Sequence, residues 1–96
     1  MTPFKELDPL LHSQLRLAVM SVLISVESAD FTYLREKTEA TAGNLSVQIG
    51  KLKEAGYISV SKSFGESYPQ TMCRITDLGR KKFTEYVTAL NDYLRP

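Results

Sequence analysis

DFTYLREKTEATAGNLSVQIGKLKEAGYI, residues 30–58, is the stretch whose reading decides the fold. Asp30 or Thr32 can cap a short helix that carries Phe31 and Leu34, because a short oxygen-bearing side chain accepts from the free N–H groups of a first turn. Glu39-Ala40-Thr41-Ala42-Gly43 reads as a turn into a second helix, with Thr41 and Asn44 spaced as a capping pair. That helix runs to about Ala55 and stops at Gly56, which enters the left-handed conformation without a Cβ clash. Leu45, Ile49 and Leu52 fall at i, i+4 and i+7, a single buried stripe. Two short helices joined by a tight turn make a helix-turn-helix.

Downstream the apolar period changes from helical to two. Ile58 and Val60 point one way, Ser59 and Ser61 the other. Residues 64–69, FGESYP, carry turn residues. Thr71, Cys73 and Ile75 then alternate with Met72 and Arg74, so this region reads as a hairpin. Thr76 caps a long helix over 77–94. Upstream, Asp8-Pro9 is a helix start, and Ser13 can cap a second start, with a break near His12-Ser13. The segment QLRLAVMSVLISVE (14–27) shows two apolar arcs on a helical wheel. Leu15, Ala18, Val19, Val22, Leu23 and Val26 form the wide one; Leu17, Met20 and Ile24 form the other. A helix apolar on two sides is buried on two sides, and the second side is assigned to a partner.

Composition narrows the function classes. The chain has 96 residues, 43% hydrophobic and 24% charged, with a formal net charge of +1. That length predicts one domain over residues 1–96. No apolar run is long enough to span a membrane, and Glu6 and Asp8 precede the first apolar pair, unlike a signal peptide. A lone Cys73 forms no intrachain disulfide and fits a reducing, cytoplasmic setting. One His and one Cys do not make a four-ligand zinc site, and His12 sits among leucines away from any nucleophile. No cofactor, no metal and no enzymatic activity are expected. Cys73 shares the core-facing phase of Ile75 and reads as a small buried hydrophobe rather than a redox sensor.

Helix-turn-helix, hairpin, helix is the order of a winged helix. The sequence resembles the short winged-helix transcription regulators of prokaryotes, related to the MarR and ArsR families. The likeness is carried by LDPLLHSQLRL (7–17), by residues 30–58, by the hairpin strands within 59–76, and by ITDLGRKKF (75–83). The expected fold class is α+β, mainly helical: a winged helix-turn-helix with a two-stranded β-hairpin wing and a long C-terminal dimerisation helix. Its parts are an N-terminal helix (9–27), a helix-turn-helix (30–56), a wing (57–76) and a C-terminal helix (77–95). The resemblance implies a homodimer that binds double-stranded DNA, with helix 43–55 in the major groove and the hairpin tip over the backbone or minor groove.

The residues of that helix fit the role. With its leucine stripe inward, Gly43, Val47, Gly50 and Glu54 face out, flanked by Asn44, Ser46, Lys51 and Lys53. Gly50 mid-helix costs about 1 kcal/mol against Ala, and a small outward residue lets another surface approach the backbone. Asn44 and Gln48 can hydrogen-bond base edges, Ser46 a base or a phosphate, and Val47 a thymine methyl. Gln48 borders the buried stripe. Thr41 and the N–H groups near Gly43 suit a phosphate. The candidate DNA contacts are therefore Thr41, Gly43, Asn44, Ser46, Val47, Gln48, Gly50 and Lys51, with Lys62 and Arg74 from the wing.

Charge supports this distribution. Residues 30–82 hold nine Lys and Arg against six Asp and Glu, while the remainder holds three against five. Arg80-Lys81-Lys82 reads as a solvated helix start. The wing departs from the family pattern, because Glu66, Ser67, Tyr68 and Gln70 stand where related regulators carry basic residues. Arg74 can reach a phosphate or pair with a carboxylate.

On helix 77–94, Phe83, Val87, Leu90 and Leu94 form a stripe that Tyr86, Ala89 and Tyr93 widen. Together with the second arc of the first long helix, this predicts a two-fold interface of Leu17, Met20, Ile24, Tyr86, Leu90, Tyr93 and Leu94. Such an interface sets two recognition helices about one DNA turn apart, matching a palindromic site. The expected function is a sequence-specific transcription regulator. The rival is a winged-helix protein-interaction module that uses the same face without binding DNA.

Overall fold

The computed structural model describes residues 4–64 and 69–96. Its elements are α1 (Gln14–Leu23), β1 (Ala29–Asp30), α2 (Phe31–Thr38), α3 (Ala42–Glu54), β2 (Ile58–Phe64), β3 (Pro69–Ile75) and α4 (Asp77–Leu94). Three of the side-chain caps read from the sequence are formed. Asp30 accepts from Tyr33 N at 2.7 Å, Thr41 from Asn44 N at 3.2 Å, and Thr76 from Gly79 N at 2.9 Å. Gly56 ends the helix-turn-helix at φ 81°. The turn between α2 and α3 contains Glu39 at φ 56°, a left-handed conformation that costs a non-glycine residue about 1–2 kcal/mol.

Two expectations change. The N-terminal helix is not 9–27 but Gln14–Leu23. Asp8 organises a separate turn: its Oδ1 accepts from Leu10 N, and its carbonyl from Leu11 N and His12 N. Ser13 is extended and caps no amide with its side chain. Beyond Leu23 the chain leaves the helix, with Ser25 Oγ donating to Val22 O. It enters β1, which pairs antiparallel with β3 at Ala29↔Cys73 and Asp30↔Met72. The two-stranded hairpin wing is formed by β2 and β3, and β1 extends it to a three-stranded sheet in the order β1-β3-β2. The β2–β3 register runs from Ile58↔Ile75 to Phe64↔Pro69. The expected tip residues Glu66, Ser67 and Tyr68 lie outside the described residues, while Gln70 is in β3.

One core joins every layer. Leu11, Val19, Met20, Leu23, Leu34, Leu45, Leu52 and Cys73 are fully buried, with Ile49, Tyr57, Ile58 and Tyr86 nearly so. The start of α4 docks against the end of the helix-turn-helix. Thr76 N donates to Tyr57 O at 3.0 Å, and Thr76 Oγ1 donates to Gly56 O at 2.6 Å. Gly79 is required there: a Cβ would lie 2.0 Å from Tyr57 O.

The N-terminal segment covers part of α4. Phe4 stacks on Tyr93 with ring centroids 4.7 Å apart, and Tyr93 OH donates to Lys5 O at 2.8 Å. Tyr57 OH donates to Asp8 Oδ2. Burial followed by this carboxylate pushes the Tyr57 pKa up to about 12. His12 Nδ1 lies 3.0 Å from Tyr86 OH.

This packing corrects the expected interface. Met20 is 0% and Tyr86 4% exposed within the chain's own core, so neither has surface to give a partner. α1 packs on α2, α3 and β3, which buries Met20, and the N-terminal segment reaches Tyr86 through His12. Leu17 and Leu90 are half-buried and pack against the same core, and Ile24 is half-buried. Tyr93 and Leu94 stay exposed, as do Val87 and Leu78.

Candidate nucleic-acid interface

α3 buries Leu45, Ile49 and Leu52 and exposes everything else but Gln48, which is half-buried. Thr41, Gly43, Asn44, Ser46, Val47, Gly50 and Lys51 thus lie together on the outward side of one helix. Val47, at 54% exposure, is the apolar projection of this face. Thr41 satisfies the amide of Asn44. The amides of Ala42 and Gly43, which precede any intrahelical acceptor, remain at the positive end of the helix dipole.

The two outward glycines are informative by what surrounds them. A Cβ on Gly43 or Gly50 would meet nothing within 4 Å. Among the described residues no packing calls for a glycine at either place, in contrast to Gly79. The helix bears the cost of Gly50 and leaves a smooth strip of backbone facing outward.

The polar side chains are not independent. Gln48 Nε2 donates to Asn44 Oδ1 at 3.0 Å. Gln48 Oε1 accepts from Arg16 Nη1 of α1, and Arg16 Nε donates to the carbonyl of Leu10. The sequence pattern assigned Arg16 no role. The signal was faint: a guanidinium in the gap of a helix buried on two sides, whose partner, 32 residues away, only the packing of α1 on α3 supplies. Gln48 is thus bonded on both sides, to Arg16 and to Asn44.

The wing residues lie apart from α3 in the chain and on opposite faces of the sheet: Lys62 pairs with Thr71 in the phase of Val60 and Cys73, and Arg74 pairs with Ser59 in the other phase. Lys62 is exposed on β2. Arg74 Nη1 is 3.9 Å from Glu27 Oε1, with both side chains largely in solvent. Of its two expected partners the free protein therefore shows the carboxylate. Such an exposed pair is worth at most about 1 kcal/mol and is easily exchanged.

Cys73 is fully buried, and desolvation pushes its thiol pKa up to about 11. A thiol held protonated and covered is a poor nucleophile. Among the described residues no group of three or more His, Cys, Asp or Glu is placed to hold a metal. No helix among them is long and apolar enough to cross a membrane.

Helix-turn-helix, three-stranded wing sheet and long terminal helix together define a winged helix, and the likeness to known proteins agrees. Residues 15–94 match the family described as winged helix DNA-binding domain, and the chain belongs to that family. It is 34% identical over 76 residues to an uncharacterized protein of Methanocaldococcus jannaschii, covering 79% of this chain and 83% of that protein. Its structure is similar to the transcriptional regulator homologue protein from Pyrococcus horikoshii, with TM-score 0.83 and 26% identity over 88% of this chain and 84% of that one. It also shares its fold with Bacillus subtilis PadR, solved in complex with operator DNA. There the TM-score is 0.69 at 15% identity, covering 78% of this chain and 48% of that one. The chain is thus a winged-helix protein of the transcriptional-regulator class.

Proposed function

We propose that the protein is a cytoplasmic, sequence-specific transcription regulator that binds a palindromic duplex site as a homodimer. α3 lies in the major groove, Asn44, Ser46 and Val47 meet base edges, and Thr41, Gly43 and Lys51 meet phosphate. The observation that carries this reading is the outward strip of α3. It is small and polar at Gly43, Ser46 and Gly50, and no packing among the described residues requires the glycines. Lys51, Lys53 and Lys62 supply exposed positive charge near it. Arg74, once released from Glu27, adds to it.

The dimer reading now rests on the distal part of α4. Leu94 is 69%, Tyr93 41% and Val87 39% exposed. Single exposed apolar residues are ordinary, but a run along one helix end is an association surface. Leu90, one turn before Leu94 on the same helix, adjoins it, while Leu17 and Ile24 remain half-buried on α1.

Titration of a labelled duplex, selected from genomic fragments, tests the function. Binding should weaken linearly in a log–log plot against salt as counterions leave the phosphates, and Lys51→Ala should lower the slope by about one unit. Salt-independent association, or none with any duplex, would favour the protein-interaction reading instead.

A further inference from the structure

Arg16, Gln48 and Asn44 form a hydrogen-bonded chain that crosses from α1 to the outward face of α3. The direction of that chain is dictated by chemistry. A guanidinium only donates, so whichever Gln48 atom faces Arg16 must be its carbonyl oxygen. The Gln48 amide nitrogen then faces Asn44 and must donate, so the Asn44 atom facing it is Oδ1. This bond holds Oδ1 toward Gln48 with one of its two lone pairs in use, so the Nδ2 group, a pure donor, is the end of Asn44 turned away from Gln48. Arg16 is itself held by the Leu10 carbonyl, which accepts from Nε. Its second bond thus fixes the guanidinium from the turn that Asp8 organises.

From this geometry we infer that Arg16 is a positioning residue that sets the base preference of Asn44, acting through Gln48 as a one-way hydrogen-bond relay. The inference rests on the reading that α3 enters the major groove. Left to itself, an asparagine pairs bidentately with adenine, donating to N7 and accepting from N6. Here the relay holds the accepting half toward Gln48 and away from the position that the bidentate adenine pairing needs. Asn44 therefore reads chiefly with its donor: guanine, with O6 and N7, best; thymine O4 and adenine N7 less well; cytosine, whose major-groove edge is a donor, worst. Arg16 is half-buried and needs no contact with DNA to do this.

Reversing the relay without touching Asn44 provides the test. A glutamate side chain at position 48 is acceptor-only. In Gln48→Glu the bond from Arg16 is kept, but residue 48 can no longer donate. Asn44 must then turn over, donate from Nδ2 to the introduced carboxylate and present Oδ1 to the groove. The cavity of about 390 Å³ beside the pair, bordered by Ser13, Leu15, Ala18 and Thr38, leaves room for the turn. Selected-sequence profiles would be measured for wild type, Gln48→Glu, Arg16→Met and Asn44→Ala, each confirmed folded by circular dichroism.

One position per half-site should favour guanine in the wild type and switch to cytosine or adenine in Gln48→Glu. The guanine-to-cytosine ratio should fall by about tenfold or more, the scale of a single base contact. Arg16→Met should narrow the guanine-to-adenine ratio at that same position and leave the others alone. Uniform loss from added negative charge cancels in these ratios, so a merely structural or electrostatic role would not move them. If Asn44→Ala erases the preference while Gln48→Glu and Arg16→Met leave it as in the wild type, the relay is refuted and DNA reading by α3 survives. If Asn44→Ala leaves every preference intact, Asn44 reads no base and the relay fails with it. A wild type that binds no duplex would instead overturn the DNA-binding reading beneath it.

Discussion

Replacing Gly50 by Ala should move stability and DNA binding in opposite directions. In an exposed helix interior the exchange gains about 0.8–1.0 kcal/mol of helix propensity, because Ala has fewer unfolded conformations to lose. At Gly50 nothing offsets the gain, since the new Cβ meets no atom within 4 Å. For a domain of this length about 1 kcal/mol corresponds to roughly 4–8 °C in Tm. The variant should therefore melt about 4–7 °C higher at fixed protein concentration. On DNA the same methyl occupies the strip along which α3 approaches the groove. Moving the helix outward by even a fraction of an ångström lengthens several contacts, each worth about 0.5–1.5 kcal/mol net. A loss of one to two such contacts is roughly tenfold in Kd. Melting followed by circular dichroism and fluorescence anisotropy with the selected duplex read the two effects separately. An unchanged or lowered Tm would show that the space around Gly50 is not open. A raised Tm with unaltered DNA affinity would remove Gly50 from the interface and weaken the placement of α3 in the groove.

Gly79→Ala should behave oppositely to Gly50→Ala: its Cβ would clash with the Tyr57 backbone at 2.0 and 2.8 Å, so denaturant titration should show a loss of about 2 kcal/mol or more, and a neutral result would disprove the close docking of α4. Leu94→Asp, placed on the exposed end of α4, should give a folded monomer with much reduced affinity for a palindromic duplex, whereas a variant still dimeric in sedimentation equilibrium would move the interface elsewhere. Because the folded Tyr57 pKa is raised from 10.0 to about 12, the folded state holds a proton there that the unfolded chain gives up. This stabilisation is complete below about pH 10 and is lost between about pH 10 and 12. Ultraviolet titration should show one tyrosine ionising late, and Tyr57→Phe should flatten the alkaline fall in stability.

The sequence alone determined the helix-turn-helix, the hairpin, the terminal helix and their caps. Asp30, Thr41, Thr76 and Gly56 act within a turn or two of themselves, so their bonds follow from local spacing. The leucine stripe of α3 and the alternation through Ile58 and Cys73 are equally local, because helix and strand periods alone decide which side chains share a face. The outward set on α3 followed as the complement of that stripe.

Tertiary structure decided what depends on partners far along the chain. Two residues of β1 are too few to show a period, and they become a strand only because β3 offers Cys73 and Met72 to pair with. The second apolar arc of α1 looked like a surface for another protomer. A helical wheel does not show that the N-terminal segment folds back, with Leu11 in the core, Asp8 on Tyr57 and Phe4 on Tyr93. That return reaches Tyr86 through His12, and the packing of α1 on α2, α3 and β3 buries Met20, so the end of α4 is what stays exposed. The relay from Arg16 to Asn44 is of the same kind. Its bond from Arg16 to Gln48 joins residues whose nearness is set by the packing of α1 on α3, while the single-helix pattern constrains only positions three and four apart.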